Sequence, residues 1–232
     1  LCFYKLIKTL GLAVLYSLFI IRCDSQKISN TESVVEDRIF IAHRGVNMRS
    51  TIAGENSLES VRLAKRAGFQ YVETDVRLTA DSVLVVMHDN TLNRTCLNID
   101  GSELTDKVYV ADVTMEDLNS NYSLKATEPE NRTNIPTLKE FLIECKKQGL
   151  LPFIEPKIID ETGKHYKDII DLAEKVMGKN NYIITSNNRA NIVIRELGLN
   201  DVPLMGILYQ TTYEAIESLG NIIMAKIGRA HV

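Results

Sequence analysis

Four short apolar runs in this chain each stop at ionisable side chains, and that repetition restricts the folds open to it. Ile39 to Ala42 leads into His43, Arg44 and the chain-turning Gly45, and Tyr71-Val-Glu-Thr-Asp75 carries two carboxylates. Val83 to Met87 leads into His88 and Asp89, and Leu151-Pro-Phe-Ile-Glu-Pro-Lys157 ends in a carboxylate and a lysine. Runs of this length, rich in β-branched and aromatic residues, read as strands. An unpaired charge is costly to bury, so four strands ending this way point to one shared polar site. Parallel α/β proteins keep their chemistry at the C-terminal ends of their strands.

Helical signals fall between the strands. Asn56 is placed to cap a helix with Glu59 three residues on; Leu58, Val61 and Ala64 line one face and Gly68 ends it. Ala80-Asp-Ser82 reads as a tight turn joining the strands at Tyr71 and Val83. Residues 90–135 form a polar stretch with one helical piece near Thr114 to Leu118. Thr137-Leu-Lys-Glu140 is a capping box after Pro136, and Leu138, Phe141, Leu142 and Cys145 recur at helical spacing up to Gly149. Further helices are expected at 165–177, 189–197 and 212–219, and strands at 182–185, 204–208 and 221–225. This alternation predicts a parallel sheet or barrel. The count reaches seven strands where a closed (β/α)8 barrel has eight, so the barrel is expected to stop before its last strand and helix, with open edges on the first and seventh strands. An open doubly wound sheet is the alternative.

The 232 residues are 45% hydrophobic and 25% charged, the balance of an ordinary globular domain. A formal net charge of −3 and no basic cluster argue against nucleic acid as a partner. Residues 1–23 read as a targeting segment: Lys5 and Lys8 precede an apolar run from Leu10 to Ile21 that suits a signal-peptide core better than a membrane span. The domain is therefore expected to be exported, to the periplasm or the cell exterior, with membrane attachment through the N-terminus or a lipid on Cys23 as further expectations. Residues 24–37 form a linker, 38–226 the domain, and 227–232 an artefactual tail, because Ile227-Gly-Arg-Ala-His-Val232 continues no pattern and matches a translated sequencing adapter. Cys145 reads as a buried small hydrophobe, and no zinc-like spacing exists.

Spacing also fixes directions. Side chains alternate along a strand, so Glu73 and Asp75 share a face, as do Glu155 and Lys157. Three converging carboxylates suit a hard divalent cation, Ca2+ or Mg2+, which prefers oxygen ligands. His43 and His88, with no cysteine partners, then read as proton donors and acceptors. Arg44 and Lys157 supply positive charge for an anionic substrate. Together these groups describe hydrolysis of a phosphate ester.

His43-Arg44-Gly45, Glu55-Asn56-Ser57, Glu73-Thr-Asp75-Val76, His88-Asp89-Asn-Thr-Leu-Asn-Arg94-Thr95, Ile135-Pro-Thr-Leu138 and Glu155-Pro-Lys157 resemble, in order and spacing, the motifs of the glycerophosphodiester phosphodiesterase family. The resemblance runs from about residue 38 to beyond 208. It implies a TIM barrel, a metal held by Glu73, Asp75 and Glu155, acid/base roles for His43 and His88, and Arg44 and Lys157 on the phosphate. Glu55 matches the family's Glu-Asn-Thr motif, with Ser57 in place of threonine, and is carried over as a supporting substrate-site residue. The chain departs from the pattern in a longer loop from Val46 to Gly54 and in having no tryptophan. The implied reaction releases sn-glycerol 3-phosphate and an alcohol from a small-molecule glycerophosphodiester. The alternatives are lysophospholipase D- or phospholipase C-like activity on lipids, and a non-catalytic glycerophosphoryl-binding lipoprotein.

Overall fold

The computed structural model describes residues 18–22, 39–46, 52–126, 128–207 and 222–228, the first and last of these by backbone alone. Its strands are β1 (Leu18–Arg22), β2 (Ile39–Ala42), β3 (Tyr71–Leu78), β4 (Leu84–Val86), β5 (Cys96–Asn98), β6 (Tyr122–Leu124), β7 (Leu151–Pro156), β8 (Ile183–Ser186), β9 (Leu204–Ile207) and β10 (Ile222–Gly228). Its helices are α1 (Leu58–Arg66), α2 (Met115–Asn121), α3 (Leu138–Gln148), α4 (Lys164–Met177) and α5 (Asn188–Glu196).

Parallel pairing runs β2–β3–β7–β8–β9–β10, with helices between successive members from β2 to β9. β1 pairs antiparallel with both β10 and β2 and so completes a ring. The fold is a curled, largely parallel α/β sheet of the TIM type, short of the eight parallel strands of a full barrel as expected. Two expectations change. The edges of the first and last parallel strands, expected open, are both covered by β1, a segment expected to lie within the targeting sequence. The strand at Val83 is not a member of the parallel ring: β4 folds back antiparallel on the far end of β3, Val76 opposite Val86 and Leu78 opposite Leu84. The tight turn at Ala80-Asp-Ser82, with Ser82 at φ 61°, allows only that return, because parallel neighbours need a crossover of a dozen or more residues. β10 extends through Ile227 and Gly228, the first two residues of the expected tail. The helix expected at 212–219 lies outside the described residues.

The period of two along each strand sorts side chains between two cores. Ile39 and Ile41 of β2, Tyr71 of β3, Leu151 and Phe153 of β7, Ile183 of β8 and Met205 of β9 pack together without helix residues, as a barrel interior. Tyr71 and Phe153 meet edge to face at 5.8 Å. The alternate residues, Ala42, Val72, Val76, Ile154 and Ile184, join Val61, Phe141, Leu142, Ile169, Ile170 and Ile194 of the helices in the larger outer core. Phe141 and Tyr182 are fully buried there.

Helix ends follow side-chain chemistry. Thr114 and Thr137 form capping boxes with Asp117 and Glu140, and Gly149 closes α3 in the left-handed conformation. The cap of α1 is Ser57, whose hydroxyl accepts from the Ser60 amide, and not Asn56 as the spacing predicts. The polar stretch 90–135 holds more structure than its composition shows. β5 and β6 pair, and Leu92, Cys96, Val110, Leu118, Leu124 and Ile135 form a separate small core with Val85 and Met87 of the β4 hairpin. This lobe stands beside the barrel mouth and carries His88, Asp89 and Arg94. Among the described residues no helix is long and apolar enough to cross a membrane.

Candidate active site

The residues that continue the interior-facing series beyond the apolar layer are the charged ones. Positions 39 and 41 lead to His43, 71 leads to Glu73 and Asp75, and 151 and 153 lead to Glu155 and Lys157. Asp75 and Glu155 stand opposite each other in the β3–β7 pair. Glu73, Asp75 and Glu155 each bring a carboxylate oxygen within 4.8 Å of the others. Sequence spacing places these three side chains together, and so does the structure.

Three carboxylates this close repel. Burial first, then the charges of Asp75 and Glu155, push the Glu73 pKa well above its ordinary value. Burial and Asp75 likewise raise that of Glu155, against the pull of Lys157. Asp75 is fully buried, and Glu73 Oε1 and Asp75 Oδ1 accept no hydrogen bond. Buried carboxylate oxygens are normally hydrogen-bonded, so two that are not, beside a third carboxylate, fit a hard cation of the Ca2+ or Mg2+ type, even with Lys157 Nζ 3.4 Å from Asp75 Oδ1.

Positive charge surrounds the triad. Lys157 Nζ lies 2.5 Å from Glu155 Oε1 and 3.4 Å from Asp75 Oδ1. Those carboxylates raise its pKa, although burial opposes them. Arg44 reaches Asp75 Oδ2 at 3.3 Å through Nε and donates from Nη1 to Glu55 Oε1 at 3.2 Å, while its amide donates to Glu73 Oε2 at 3.0 Å. That amide points inward because Arg44 holds φ 57° and Gly45 φ 76°, a left-handed pair that costs a non-glycine residue energy and is typical of functional turns. A Cβ on Gly45 would lie 2.2 Å from Ser60 Oγ. Glycine is what lets the turn sit on α1.

His43 Nε2 is 3.8 Å from Glu73 Oε2. Burial, then Arg44, His88 and Lys157, lower its pKa to about 3. His88 joins the site from the small lobe, its Nδ1 2.6 Å from Asp89 Oδ1. Glu55 is clasped by Arg94 and Arg44, whose hydrogen bonds and charges outweigh burial and lower its pKa.

Four residues to which the sequence assigns no site role take part. Asn56, at φ 60°, turns its side chain inward, donating to Asp75 Oδ2 at 3.2 Å and accepting from the Thr74 hydroxyl at 3.0 Å. That is why it does not cap α1. Arg77 donates to the carbonyls of His88 at 2.8 Å and Lys157 at 3.1 Å, tying two loops of the site together. It stands at the next alternate position after Glu73 and Asp75, so period two carries its signal. Asp89 and Arg94 complete the set, and no spacing rule connects them to Glu55. Of the loop from Val46 to Gly54, residues 47–51 lie outside the described residues.

The profile of the glycerophosphoryl diester phosphodiesterase family matches residues 43–214. Glycerophosphodiester phosphodiesterase 1 of Mus musculus is 39% identical over 127 residues, covering 52% of this chain and 34% of the mouse protein. The chain thus matches about a third of the length of that relative. A glycerophosphodiester phosphodiesterase from Parabacteroides distasonis superposes with a TM-score of 0.58 at 25% identity, covering 78% of this chain and 69% of that one. A phosphodiesterase from Oleispira antarctica, solved in complex with the product sn-glycerol-3-phosphate, superposes with a TM-score of 0.57 at 25% identity, covering 77% and 70%.

Proposed function

Because the chain belongs to the glycerophosphoryl diester phosphodiesterase family, we propose that it hydrolyses glycerophosphodiesters to sn-glycerol 3-phosphate and an alcohol, with a divalent cation, Ca2+ or Mg2+, held by Glu73, Asp75 and Glu155. The observation that carries this reading is the carboxylate triad with two unmatched buried oxygens, set among His43, His88, Arg44 and Lys157. The product found with the Oleispira antarctica relative supports the choice of substrate.

When bound, the cation supplies neutralisation of phosphate oxygens and of the charge that develops in the transition state. Arg44 and Lys157 add fixed positive charge at the same place, the guanidinium as a planar fork and the ammonium as a point charge. His43 is the general base in this reading, placed on the geometry of its ring at the end of β2, Nε2 3.8 Å from Glu73 Oε2, where it would take the proton of the attacking hydroxyl. His88 is the general acid, giving a proton from Nε2 to the leaving alcohol. The Asp89 carboxylate 2.6 Å from Nδ1 holds the ring by that edge and leaves Nε2 as the nitrogen that meets the leaving alcohol. Export is proposed on the pattern of residues 1–23 alone, as a segment that is kept after export, since Leu18–Arg22 pairs with β2 and β10.

The test is head-group release from glycerophosphocholine, beside lysophosphatidylcholine, before and after chelation. Chelation is expected to abolish release from glycerophosphocholine, and Ca2+ or Mg2+ to restore it. Asp75→Ala is expected to lose metal binding by calorimetry while keeping the wild-type circular dichroism. Full turnover in excess chelator would overturn the metal assignment. Faster turnover of the lysolipid would move the substrate class.

A further inference from the structure

The roles above leave Arg94 without a task, yet its guanidinium is almost fully committed. Nε and Nη2 donate to Asp89 Oδ2 and Oδ1 at 2.6 and 3.0 Å, and Nη1 and Nη2 donate to Glu55 Oε2 and Oε1 at 2.8 and 2.7 Å. Each carboxylate is held in the two-pronged geometry that fixes direction as well as distance. Asp89 in turn contacts His88 Nδ1 at 2.6 Å, and Glu55 accepts from Arg44. A continuous path therefore runs from His88 through Asp89, Arg94 and Glu55 to Arg44 beside the triad.

Two simpler roles fit poorly. A phosphate clamp would need guanidinium donors facing the substrate, and here they face two carboxylates. A stabilising surface ion pair is weak as a rule, and this side chain is 47% exposed. What the clasp does accomplish is registry. Asp89 and His88 follow β4 and belong to the small lobe, whereas Glu55 sits on the loop between β2 and α1. The two elements approach from different parts of the sheet, and Arg94 bonds both.

We propose that Arg94 is a positioning residue: by clasping Asp89 and Glu55 together it fixes the ring orientation and tautomer of His88 relative to Arg44 and the carboxylate triad. The inference rests on the acid/base reading of His88. A reacting group misplaced by about 1 Å can lose about a hundredfold in rate, and that is the effect expected of Arg94→Ala.

Three variants of the full-length protein, His88→Ala, Arg94→Ala and Arg94→Lys, would be assayed with glycerophosphocholine, together with side-chain 15N NMR of the histidines. Arg94→Ala is expected to lower kcat about a hundredfold with KM nearly unchanged. Guanidinium ion below denaturing concentration should partly restore its rate. Arg94→Lys should recover less, since an ammonium cannot span both carboxylates in register. In NMR at alkaline pH, where the imidazole is neutral, the His88 ring should go from one tautomer, protonated on Nδ1, to an averaged pair in Arg94→Ala, a readout that needs no turnover. A raised KM at unchanged kcat would make Arg94 a substrate contact and overturn the proposal, as would an unchanged His88 spectrum. Near-normal turnover of His88→Ala would instead overturn the acid/base reading itself.

Discussion

The imidazole of His43 shows how far surroundings override residue type. An isolated histidine titrates near pH 6.5; this one is held neutral down to about 3 by burial and by neighbouring cations. The sign of the linkage follows. The unfolded chain binds a proton at His43 between pH 6.5 and 3 that the folded chain refuses, so this group's contribution is fully present above 6.5 and is lost as pH falls through that window. Thermal unfolding of the metal-free protein from pH 7 to 4 is thus expected to show a smaller acid-side loss in His43→Ala than in the wild type. Equal slopes would mean that His43 titrates normally. Both histidines read from the sequence as candidate site residues, because each ends an apolar run. The proposed division into base and acid draws instead on which groups the fold brings to each ring.

Among the elements, the turn from β2 to α1 carries the most constraint for its length. Its described residues aim the Arg44 amide at Glu73, seat Gly45 on Ser60 and deliver Asn56 to Asp75. Gly45→Ala must relieve a 2.2 Å contact at a positive φ, so it is expected to cost about 1–3 kcal/mol and to weaken metal binding as the turn shifts. Denaturant unfolding and calorimetry would check this, and a variant with unchanged stability and affinity would show that the turn yields freely. The capping box of α3 is legible because it is made of local hydrogen bonds between residues three apart. The α1 cap was misread for the opposite reason: Asn56 is a good local cap, but a buried carboxylate distant in sequence competes for its side chain, and Ser57 caps instead.

For the whole molecule, ring closure through β1 is the feature with consequences. β1 satisfies the edges of β2 and β10 at once, and unpaired strand edges template association between chains. Deleting residues 1–22 is therefore expected to produce a chain that self-associates and unfolds at a lower temperature than the 232-residue protein. Size-exclusion chromatography with light scattering, followed by thermal unfolding, makes the comparison. A monodisperse shorter chain with an unchanged midpoint would show that closure does not depend on β1.

By itself the sequence determined the strand–helix alternation, the inward series of alternate residues and the convergence of Glu73, Asp75 and Glu155. Each rests on a short period or on a strand end, and such signals survive in one dimension. Only the tertiary structure decided that β1 pairs with both β2 and β10, that residues 90–135 build a lobe with its own core, and that Arg94 joins Asp89 to Glu55. Those outcomes depend on contacts between residues far apart in the chain, whose energies come from burial and charge pairing. No local pattern records which distant partner a polar side chain will meet.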